Sequence, residues 1–390
     1  MALAQPGSAA GPNEHRPINV RSSASHATTT ASLLGVADLL RKQAATRAGD
    51  VAIEDVAGTI SFGELERWTS HVANALSAAG IVAGDRVAVL AENRREYLAL
   101  QLAAAKLGVI VACLNWRLAD AEASHCLRLV TPRIVFVSAR FATALARTGW
   151  RDGTIIGLDD GFEAWAEAAP QQELPCDIDP EQGLVILYTS GTTGLPKGAV
   201  ISQRAMVARA MCFAAEHGIG PRHAYVAWSP LFHMAATDFS LATLMIGGKV
   251  IIQDGFDADR LCGTIERETI GWLVAMPGMV DQLIDGLKRN KTRPRGVSMV
   301  GAMADLVPRQ QIAELTALLG APYLNSFGAP ETGLPPASGG LLAPGMVPSG
   351  LSKRESGWCR VRLVDAEDRD VPVGTPGEAV IRGPTLFSGY

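Results

Sequence analysis

The stretch that decides the fold is residues 184–200, LVILYTSGTTGLPKGAV. Its first four residues are apolar and predict a short buried strand. The strand runs into a segment with three glycines, four hydroxyl side chains and Lys197. Glycines let backbone N–H groups approach an anion closely, and a lysine adds a positive charge for phosphate. The stretch therefore predicts a phosphate-binding loop after a strand, with a helix from Ser202 onward adding its N-terminal dipole.

The loop does not match the Walker A pattern G-x-x-x-x-G-K-[ST]. Counting from Gly191, the second required glycine falls on Pro196, and Lys197 is followed by Gly198. A P-loop NTPase is therefore disfavoured. The other alternative is an ordinary mobile loop, but the clustering of hydroxyls, glycines and one lysine after a buried strand favours phosphate binding.

Length and composition limit the class of protein. Because single cores stop growing beyond ~250–300 residues, a chain of 390 residues predicts two or three packed subdomains. Hydrophobic residues at 48% and charged residues at 19% exclude a disordered chain. There are 35 Lys and Arg against 39 Asp and Glu, a net charge of −4, which argues against a nucleic-acid-binding protein.

Apolar periodicity divides the chain into segments. A capping box at Ser61 and Glu64 starts a predicted helix that ends near Gly80, and strands are predicted at 86–91, 109–114, 133–137 and 154–157. Such alternation indicates an α/β fold with mainly parallel sheets. Residues 360–364 and 378–382 alternate polar and apolar residues and predict a small antiparallel barrel or sheet. The predicted divisions are a disordered leader at 1–32, α/β subdomains at 33–180 and 181–340, and a β subdomain at 341–390.

The cysteines and the apolar runs indicate a cytoplasmic protein. Six cysteines lie far apart with no CxxC pair, a pattern that fits a reducing compartment. Residues 98–114 are the most apolar run, but Gln101 and Lys106 interrupt it, so a helix followed by a strand is predicted rather than a membrane span. The N-terminus has no apolar signal-peptide core.

Residues 189–198 resemble the phosphate loop [ST]SGTTGxPKG of the adenylate-forming superfamily, which includes acyl-CoA synthetases, peptide-synthetase adenylation domains and luciferases. Further segments match in order: PLFH at 230–233, FGAPE at 327–331 for the family's YGxTE, and the GE, RGP and GY pairs and triplet between 377 and 390. The resemblance implies the family's large N-terminal domain, with two packed α/β subdomains and a small antiparallel β-barrel.

The resemblance also implies the reaction. A carboxylate attacks the α-phosphate of ATP to give an acyl-adenylate and pyrophosphate, and a thiol then displaces AMP. The implied cofactors are ATP, Mg²⁺ and coenzyme A, and the implied partner is a small carboxylic acid. A homodimer is a further expectation. Residues 106–118, KLGVIVACLNWRL, resemble the acyl- and aryl-CoA synthetase version of this region. An acyl-CoA ligase is therefore the first expectation, with an amino-acid-adenylating domain or a non-catalytic nucleotide-binding protein as alternatives.

Roles for individual residues follow from the same resemblance. The phosphate loop would hold the β- and γ-phosphates, Phe327 would stack on adenine, Asn325 would bind the adenine amino group, and Glu331 would carry Mg²⁺. His233 would be an aromatic gate beside the carboxylate channel, with no proton transfer assigned to it. The residues expected to act in catalysis are Thr189, Lys197, His233 and Glu331. The expected nucleotide site is Thr189, Ser190, Gly191, Thr192, Thr193, Gly194, Lys197, Gly301, Ala302, Asn325, Phe327, Gly328, Ala329 and Glu331. The expected acid pocket is His233, Met234, Thr237, Asp238, Met303, Ala329 and Leu334.

Some positions depart from the family pattern. Pro330 replaces the usual Thr and has neither a hydroxyl nor a backbone N–H to donate, so adenylation would be slower unless Thr332 compensates. Asp238 would either select a polar or cationic acid or face solvent or a neighbouring Arg. The family's later ribose-binding aspartate and its C-terminal domain have no counterpart before Tyr390. The expectation is a truncated ligase that binds ATP weakly and turns over little.

Overall fold

The fold is mixed α/β with mainly parallel sheets, seen in a computed structural model that describes residues 34–174, 178–189 and 194–390. The helices are α1 (Val36–Thr46), α2 (Phe62–Ala78), α3 (Arg95–Leu107), α4 (Asp120–Val130), α5 (Ala139–Arg147), α6 (Phe162–Glu167), α7 (Gln203–His217), α8 (Met234–Ile246), α9 (Ala258–Arg267), α10 (Val280–Arg289) and α11 (Arg309–Leu319). The strands are β1 (Val51–Asp55), β2 (Gly58–Ser61), β3 (Arg86–Leu90), β4 (Ile110–Cys113), β5 (Ile134–Val137), β6 (Thr154–Gly157), β7 (Gly183–Thr189), β8 (Lys197–Ser202), β9 (Ala224–Ala227), β10 (Lys249–Ile252), β11 (Thr269–Leu273), β12 (Gly296–Val300), β13 (Tyr323–Leu324), β14 (Phe327–Ala329), β15 (Gly333–Ala337), β16 (Leu341–Leu342), β17 (Arg360–Val364) and β18 (Glu378–Arg382).

Two large sheets organise these elements. The six-stranded sheet has the order β6-β5-β3-β4-β7-β8, and the eight-stranded sheet has the order β16-β13-β12-β11-β9-β10-β1-β2. Neighbouring strands are parallel except where the edge strands β8, β2 and β16 join. The predicted subdomain boundary at residue 180 does not separate the strands of one sheet from those of the other. The early strands β1 and β2 belong to the second sheet, and β7 and β8 belong to the first, so the chain crosses between the sheets more than once.

The predicted local signals have clear structural causes. The Ser61 backbone N–H donates to the Glu64 carboxylate at 2.8 Å and the Glu64 N–H donates back to the Ser61 hydroxyl at 3.3 Å, which confirms the capping box. Residues 98–114 form the rest of α3 and then β4, as predicted. Within the described ranges, no helix combines the length and the apolar character needed to span a bilayer.

Helices cover both faces of the six-stranded sheet, as parallel strands require. On one face a large core includes Leu65, Leu98 and Val111, and on the other face Leu127 and Phe141 pack against the strands. The helices cover the faces of the sheet, and loops follow the carboxyl ends of its parallel strands. Ligand sites of open α/β sheets usually form at such ends.

The expectation that the N-terminal dipole of the following helix acts at the phosphate loop is wrong. After the loop, the chain first returns along β8, which pairs antiparallel with β7 from Lys197 opposite Thr189 back to Ser202 opposite Gly183. Ser202 then caps α7 by accepting a hydrogen bond from the Ala205 N–H at 3.2 Å. Six strand residues separate the loop from the helix start, a distance of about 20 Å. The positive end of α7 therefore lies at the far end of the hairpin.

The predicted antiparallel pair near the end of the chain is confirmed, but its closure into a barrel is not. β17 and β18 pair with Arg360 opposite Arg382, and they form a two-stranded sheet within the part of the chain that the structure describes. Downstream, the Val200 N–H of β8 donates to the Gly389 carbonyl at 2.9 Å, so the last residues lie along the edge of the first sheet.

Candidate functional site

The predicted phosphate loop joins β7 and β8 at the carboxyl end of β7. Thr189 and Lys197 form the last pair of the hairpin before the loop. Gly194 has a φ of +97°, a left-handed conformation that glycine adopts at little cost. His125 Nε2 lies 3.1 Å from the Pro196 carbonyl oxygen and anchors the exit of the loop to α4. The remaining loop residues predicted to bind phosphate lie outside the described residues: Ser190, Gly191, Thr192 and Thr193.

The side chains of Lys197 and Glu331 are linked through Tyr390. Lys197 Nζ lies 5.0 Å from the centre of the Tyr390 ring, and the Tyr390 hydroxyl donates to Glu331 Oε1 at 2.8 Å. The Phe387 backbone N–H donates to the Glu331 carbonyl at 2.9 Å and ties the segment that carries Tyr390 to the turn that carries Glu331. A cationic and an anionic group therefore lie beside the exit of the phosphate loop, an arrangement suited to a phosphate that carries a cation.

Glu331 is the one residue predicted to bind metal, and its surroundings fit a metal shared with a nucleotide. Within the described ranges, no three His, Cys, Asp or Glu side chains gather into a metal site. Mg²⁺ takes few protein carboxylates and usually completes its coordination with water and substrate phosphates. A single carboxylate close to the phosphate loop is compatible with that mode of binding.

A small-residue cradle forms at the carboxyl end of β12, where Gly301 and Ala302 were predicted to pack against adenine. Gly301 has a φ of +91°, and a Cβ there would lie 2.2 Å from the ring of Tyr323. The Trp272 Nε1–H donates to the Gly301 carbonyl at 2.8 Å, and the Tyr323 hydroxyl donates to the Ala302 carbonyl at 2.9 Å. Only glycine fits this position, because the two aromatic side chains hold the turn from both sides.

Phe327 begins β14 with its side chain at the surface. It is 52% exposed, so about half of the side chain is accessible to solvent. The next residue, Gly328, packs closely, because a Cβ there would lie 2.2 Å from the Gly333 carbonyl oxygen of β15. The ring of Phe327 is thus mounted on a two-stranded turn and is accessible from solvent, and its stacking on adenine stays a prediction.

The role predicted for Asn325 needs correction. Its side chain is fully buried, and Nδ2 donates to the Leu351 carbonyl at 2.9 Å. Its Oδ1 accepts a hydrogen bond from Lys353 Nζ at 2.5 Å. Both ends of the amide therefore bind the segment 351–353, which differs from the predicted contact with the adenine amino group. The sequence spacing placed Asn325 near the site but did not reveal these partners.

The residues 329–332 form a tight turn in which both the N–H and the hydroxyl of Thr332 are hydrogen-bonded. The Thr332 N–H donates to the Ala329 carbonyl at 2.9 Å, and the Ala329 N–H donates to the Thr332 hydroxyl at 3.1 Å. The Thr332 hydroxyl itself donates to the Gly333 carbonyl at 3.1 Å, and the side chain is buried. The hydroxyl is thus used inside the turn, and Ala329 contributes to the turn rather than to a pocket wall.

A cavity of about 230 Å³ opens at the carboxyl ends of the neighbouring strands β9, β11 and β12. Four of the seven predicted pocket residues line it: His233, Met234, Met303 and Leu334. The other residues that line it are Ser229, Ala235, Trp272, Val274, Met276, Ala302, Ser326, Gly328 and Pro330. Among these described lining residues there is no acidic side chain and no Lys or Arg. The cavity is apolar, and three methionines make its shape adaptable.

His233 lines this cavity and directly precedes α8. Its backbone N–H donates to the Pro230 carbonyl at 2.9 Å. Its ring lies 4.5 Å from that of Phe232, centre to centre, and desolvation by its neighbours followed by the charge of Arg117 lowers the pKa of His233 to about 4. The imidazole is therefore neutral near pH 7, which fits an aromatic wall better than a cationic group.

Two predicted pocket residues, Thr237 and Asp238, lie away from the cavity. The Thr237 hydroxyl donates to the Leu231 carbonyl at 2.5 Å and accepts from Gln101 Nε2 at 3.2 Å. Asp238 is 3% exposed, and its Oδ2 accepts a hydrogen bond from Arg209 Nη1 at 2.9 Å. Of the alternatives for Asp238, the neighbouring arginine is the one observed, so this carboxylate does not select a cationic acid.

Sequence reasoning missed several residues that shape the site. Trp272 and Met276 line the cavity, but each belongs to an apolar run that looks like core. Asn93 donates to the Ser229 carbonyl at 2.7 Å and accepts from the Leu231 N–H at 2.8 Å, and so positions the turn that leads to His233. The partners of Asn93 lie more than 130 positions further along the chain. No local pattern could have identified them.

The chain belongs to the AMP-binding enzyme family, whose family model matches residues 40–390. A similar curated protein is the indoleacetate–CoA ligase of Aromatoleum aromaticum, which is 30% identical over 365 residues covering 91% of this chain and 71% of that protein. The chain spans about two thirds of the length of two further curated relatives.

Solved structures agree with this fold. The inhibitor-bound N-terminal domain of FACL13 from Mycobacterium tuberculosis superposes with a TM-score of 0.80 at 23% identity, covering 91% of this chain and 90% of that one. ATP-bound MatB from Rhodopseudomonas palustris superposes with a TM-score of 0.76 at 25% identity, covering 92% of this chain and 72% of that one. The expected family and the α/β fold class are therefore confirmed.

Proposed function

We propose that this chain binds ATP and activates a carboxylic acid as an acyl-adenylate, from which coenzyme A takes the acyl group as a thioester. The carboxylate oxygen attacks the α-phosphorus, the bond to the bridging oxygen breaks, and pyrophosphate leaves with the bonding electrons. In the second step the thiol attacks the acyl carbon, AMP leaves, and the thiol proton is released. The similarity to an indoleacetate–CoA ligase supports this proposal.

The observation that carries the proposal is that one turn serves both halves of the site. Gly328 and Pro330 line the apolar cavity, and the adjacent Glu331 reaches the cluster with Tyr390 and Lys197. An acid in the cavity would thus have its carboxylate close to a nucleotide held by the phosphate loop. Holding two reactants in this way removes most of the entropic barrier to their reaction.

The chain's own residues would act by position and charge. Lys197 would neutralise charge on the phosphates, and Phe327 would stack on the base. The residue proposed to hold Mg²⁺ is Glu331, and the metal would supply charge neutralisation on the leaving pyrophosphate. His233, neutral near pH 7, would form the wall beside the reacting carboxylate and exclude water from it.

The cavity favours a compact, uncharged acyl group. Its volume of about 230 Å³ lies below the ~300–1,000 Å³ of common ligand pockets. Trp272 presents an apolar ring, because its Nε1–H is occupied by the Gly301 carbonyl. An arylacetic or short aliphatic acid suits this surface, whereas a charged distal group would be desolvated without a partner.

Pyrophosphate release from MgATP tests the proposal. A panel of indoleacetate, benzoate, octanoate and amino acids is assayed with the wild type and with Lys197→Ala, and thioester formation is followed after coenzyme A is added. Release with the apolar acids supports the proposal, and release only with amino acids indicates an amino-acid-adenylating domain instead. MgATP binding without release under any condition indicates a non-catalytic nucleotide-binding protein.

Three further expectations belong to the same proposal. The low turnover expected of the 390-residue chain is measured in the same assay. A cytoplasmic location agrees with the free cysteines among the described residues, for example Cys113 and Cys359. The expected homodimer is checked by light scattering.

A further inference from the structure

A buried arginine on α7 connects the two halves of the proposed site. Arg209 and Asp238 of α8 form an ion pair with Nη1 and Oδ2 at 2.9 Å, and their side chains are only 4% and 3% exposed. Such a pair loses its hydration, and burial raises the pKa of Asp238 while the Arg209 charge opposes this effect. Buried ion pairs contribute little net stability, so a position of this kind suggests a role other than stability.

The other donors of Arg209 bind two backbone carbonyls. Nη2 donates to the Pro330 carbonyl at 2.7 Å, and Nε donates to the Thr385 carbonyl at 3.0 Å. One planar guanidinium therefore joins α7, α8, the turn 329–332 and the final segment that carries Tyr390. Lysine could not reproduce this, because its single ammonium group lacks the rigid fork of donors.

The backbone of the turn is shaped around this guanidinium. Gly333 has a φ of +74°, and a Cβ there would lie 2.9 Å from Arg209 Nε. Inside the turn, Ala329 and Thr332 already satisfy each other. Pro330 has no N–H, so its carbonyl is its only backbone group that can form a hydrogen bond. The hydrogen bond from Arg209 to this carbonyl fixes the turn to the rest of the fold.

We propose that Arg209, oriented by Asp238, is a positioning residue that holds Glu331 at a fixed place relative to His233 and the acid cavity. The inference rests on the proposed function, since it concerns the same reaction. Asp238 lies on α8, five residues after His233, which directly precedes that helix, and Glu331 directly follows Pro330. The ion pair thus links the helix of the acid site to the turn of the nucleotide site without touching either substrate.

The test compares Arg209→Lys, Arg209→Met and Asp238→Asn with the wild type. The matched control is Arg95→Met, which removes another arginine paired with a carboxylate: Arg95 Nε donates to Asp55 Oδ2 at 2.7 Å, and the side chains are 17% and 10% exposed. We measure melting temperature, kcat and KM for MgATP and for the acid. A second readout, hydrogen exchange of the peptide 327–338, does not depend on activity.

Arg209→Lys is expected to fold, to lower kcat/KM for MgATP by about 10-fold or more, and to change KM for the acid far less. The peptide 327–338 exchanges faster in this variant, whereas Arg95→Met loses melting temperature without either effect. The inference is overturned if Arg209→Lys keeps wild-type kcat/KM and exchange, or if Arg95→Met reproduces both changes. If Arg209→Met and Asp238→Asn do not fold, Arg209→Lys alone decides. A wild type without pyrophosphate release contradicts the proposed function instead, and the exchange result still decides the role of Arg209.

Discussion

Replacing Phe327 by alanine separates nucleotide binding from stability. Fully burying a phenylalanine side chain contributes about 1.5–3 kcal/mol. Since Phe327 is 52% exposed, its removal should lower the free energy of unfolding by roughly 1 kcal/mol. Stacking of an aromatic ring on a nucleic-acid base is worth about 1–3 kcal/mol, which corresponds to a dissociation constant for MgATP about 5- to 150-fold higher.

The assay is isothermal titration calorimetry with MgATP, combined with thermal unfolding. Phe327→Tyr restores the family residue and should bind MgATP as the wild type does. Trp358→Ala removes another exposed aromatic side chain, 48% exposed, and should leave binding unchanged. The reasoning is refuted if Phe327→Ala binds MgATP as tightly as Trp358→Ala does. A loss of binding that only accompanies global unfolding also refutes it.

Three other predictions concern the turns and the acid gate. Gly301→Ala should lower the free energy of unfolding by about 3 kcal/mol or more in urea denaturation, because the Cβ enters the Tyr323 ring; a change below about 0.5 kcal/mol would contradict the cradle geometry. Pro330→Thr should raise the rate of pyrophosphate release up to ~10-fold, since a hydroxyl regains a donor toward phosphate; an unchanged rate argues against the importance of this departure. The pKa of His233 falls from 6.5 to about 4 in the fold, so its contribution to stability is complete above about pH 6.5 and is lost as the pH falls to about 4. Urea denaturation across this range should show a smaller loss of stability for His233→Gln than for the wild type, and equal losses would show that the ring titrates normally.

Several elements of the fold could be predicted because their signals are local. The capping box at Ser61, the apolar run of β7 and the alternation in β17 and β18 each depend on neighbours within a few residues. The resemblance also assigns the small residues Gly301 and Ala302 to the nucleotide site, and this assignment stays a prediction. The residues that indicate each of these features lie within one short window of sequence.

The corrections come from long-range partners. Asn325 and Asp238 were placed in the site because their side chains suit ligands, but Lys353 and Arg209 satisfy them first. Similarly, β1 joins the second sheet by pairing with β10, almost 200 residues later. Neither these side-chain partners nor this strand pairing has a local signal in the sequence. The sequence around a polar side chain does not show whether its partner is a ligand or a distant residue.

The most direct test of the account is titration of MgATP into the wild type, Lys197→Ala and Lys42→Ala. Lys42 is an exposed lysine on α1 and serves as the matched control. We expect saturable heat for the wild type and for Lys42→Ala. The dissociation constant of Lys197→Ala for MgATP should be at least ~10-fold higher, because a charge-assisted phosphate contact is lost. Equal heats and affinities for all three proteins would contradict nucleotide binding at the 189–198 loop, and with it the proposed ligase function.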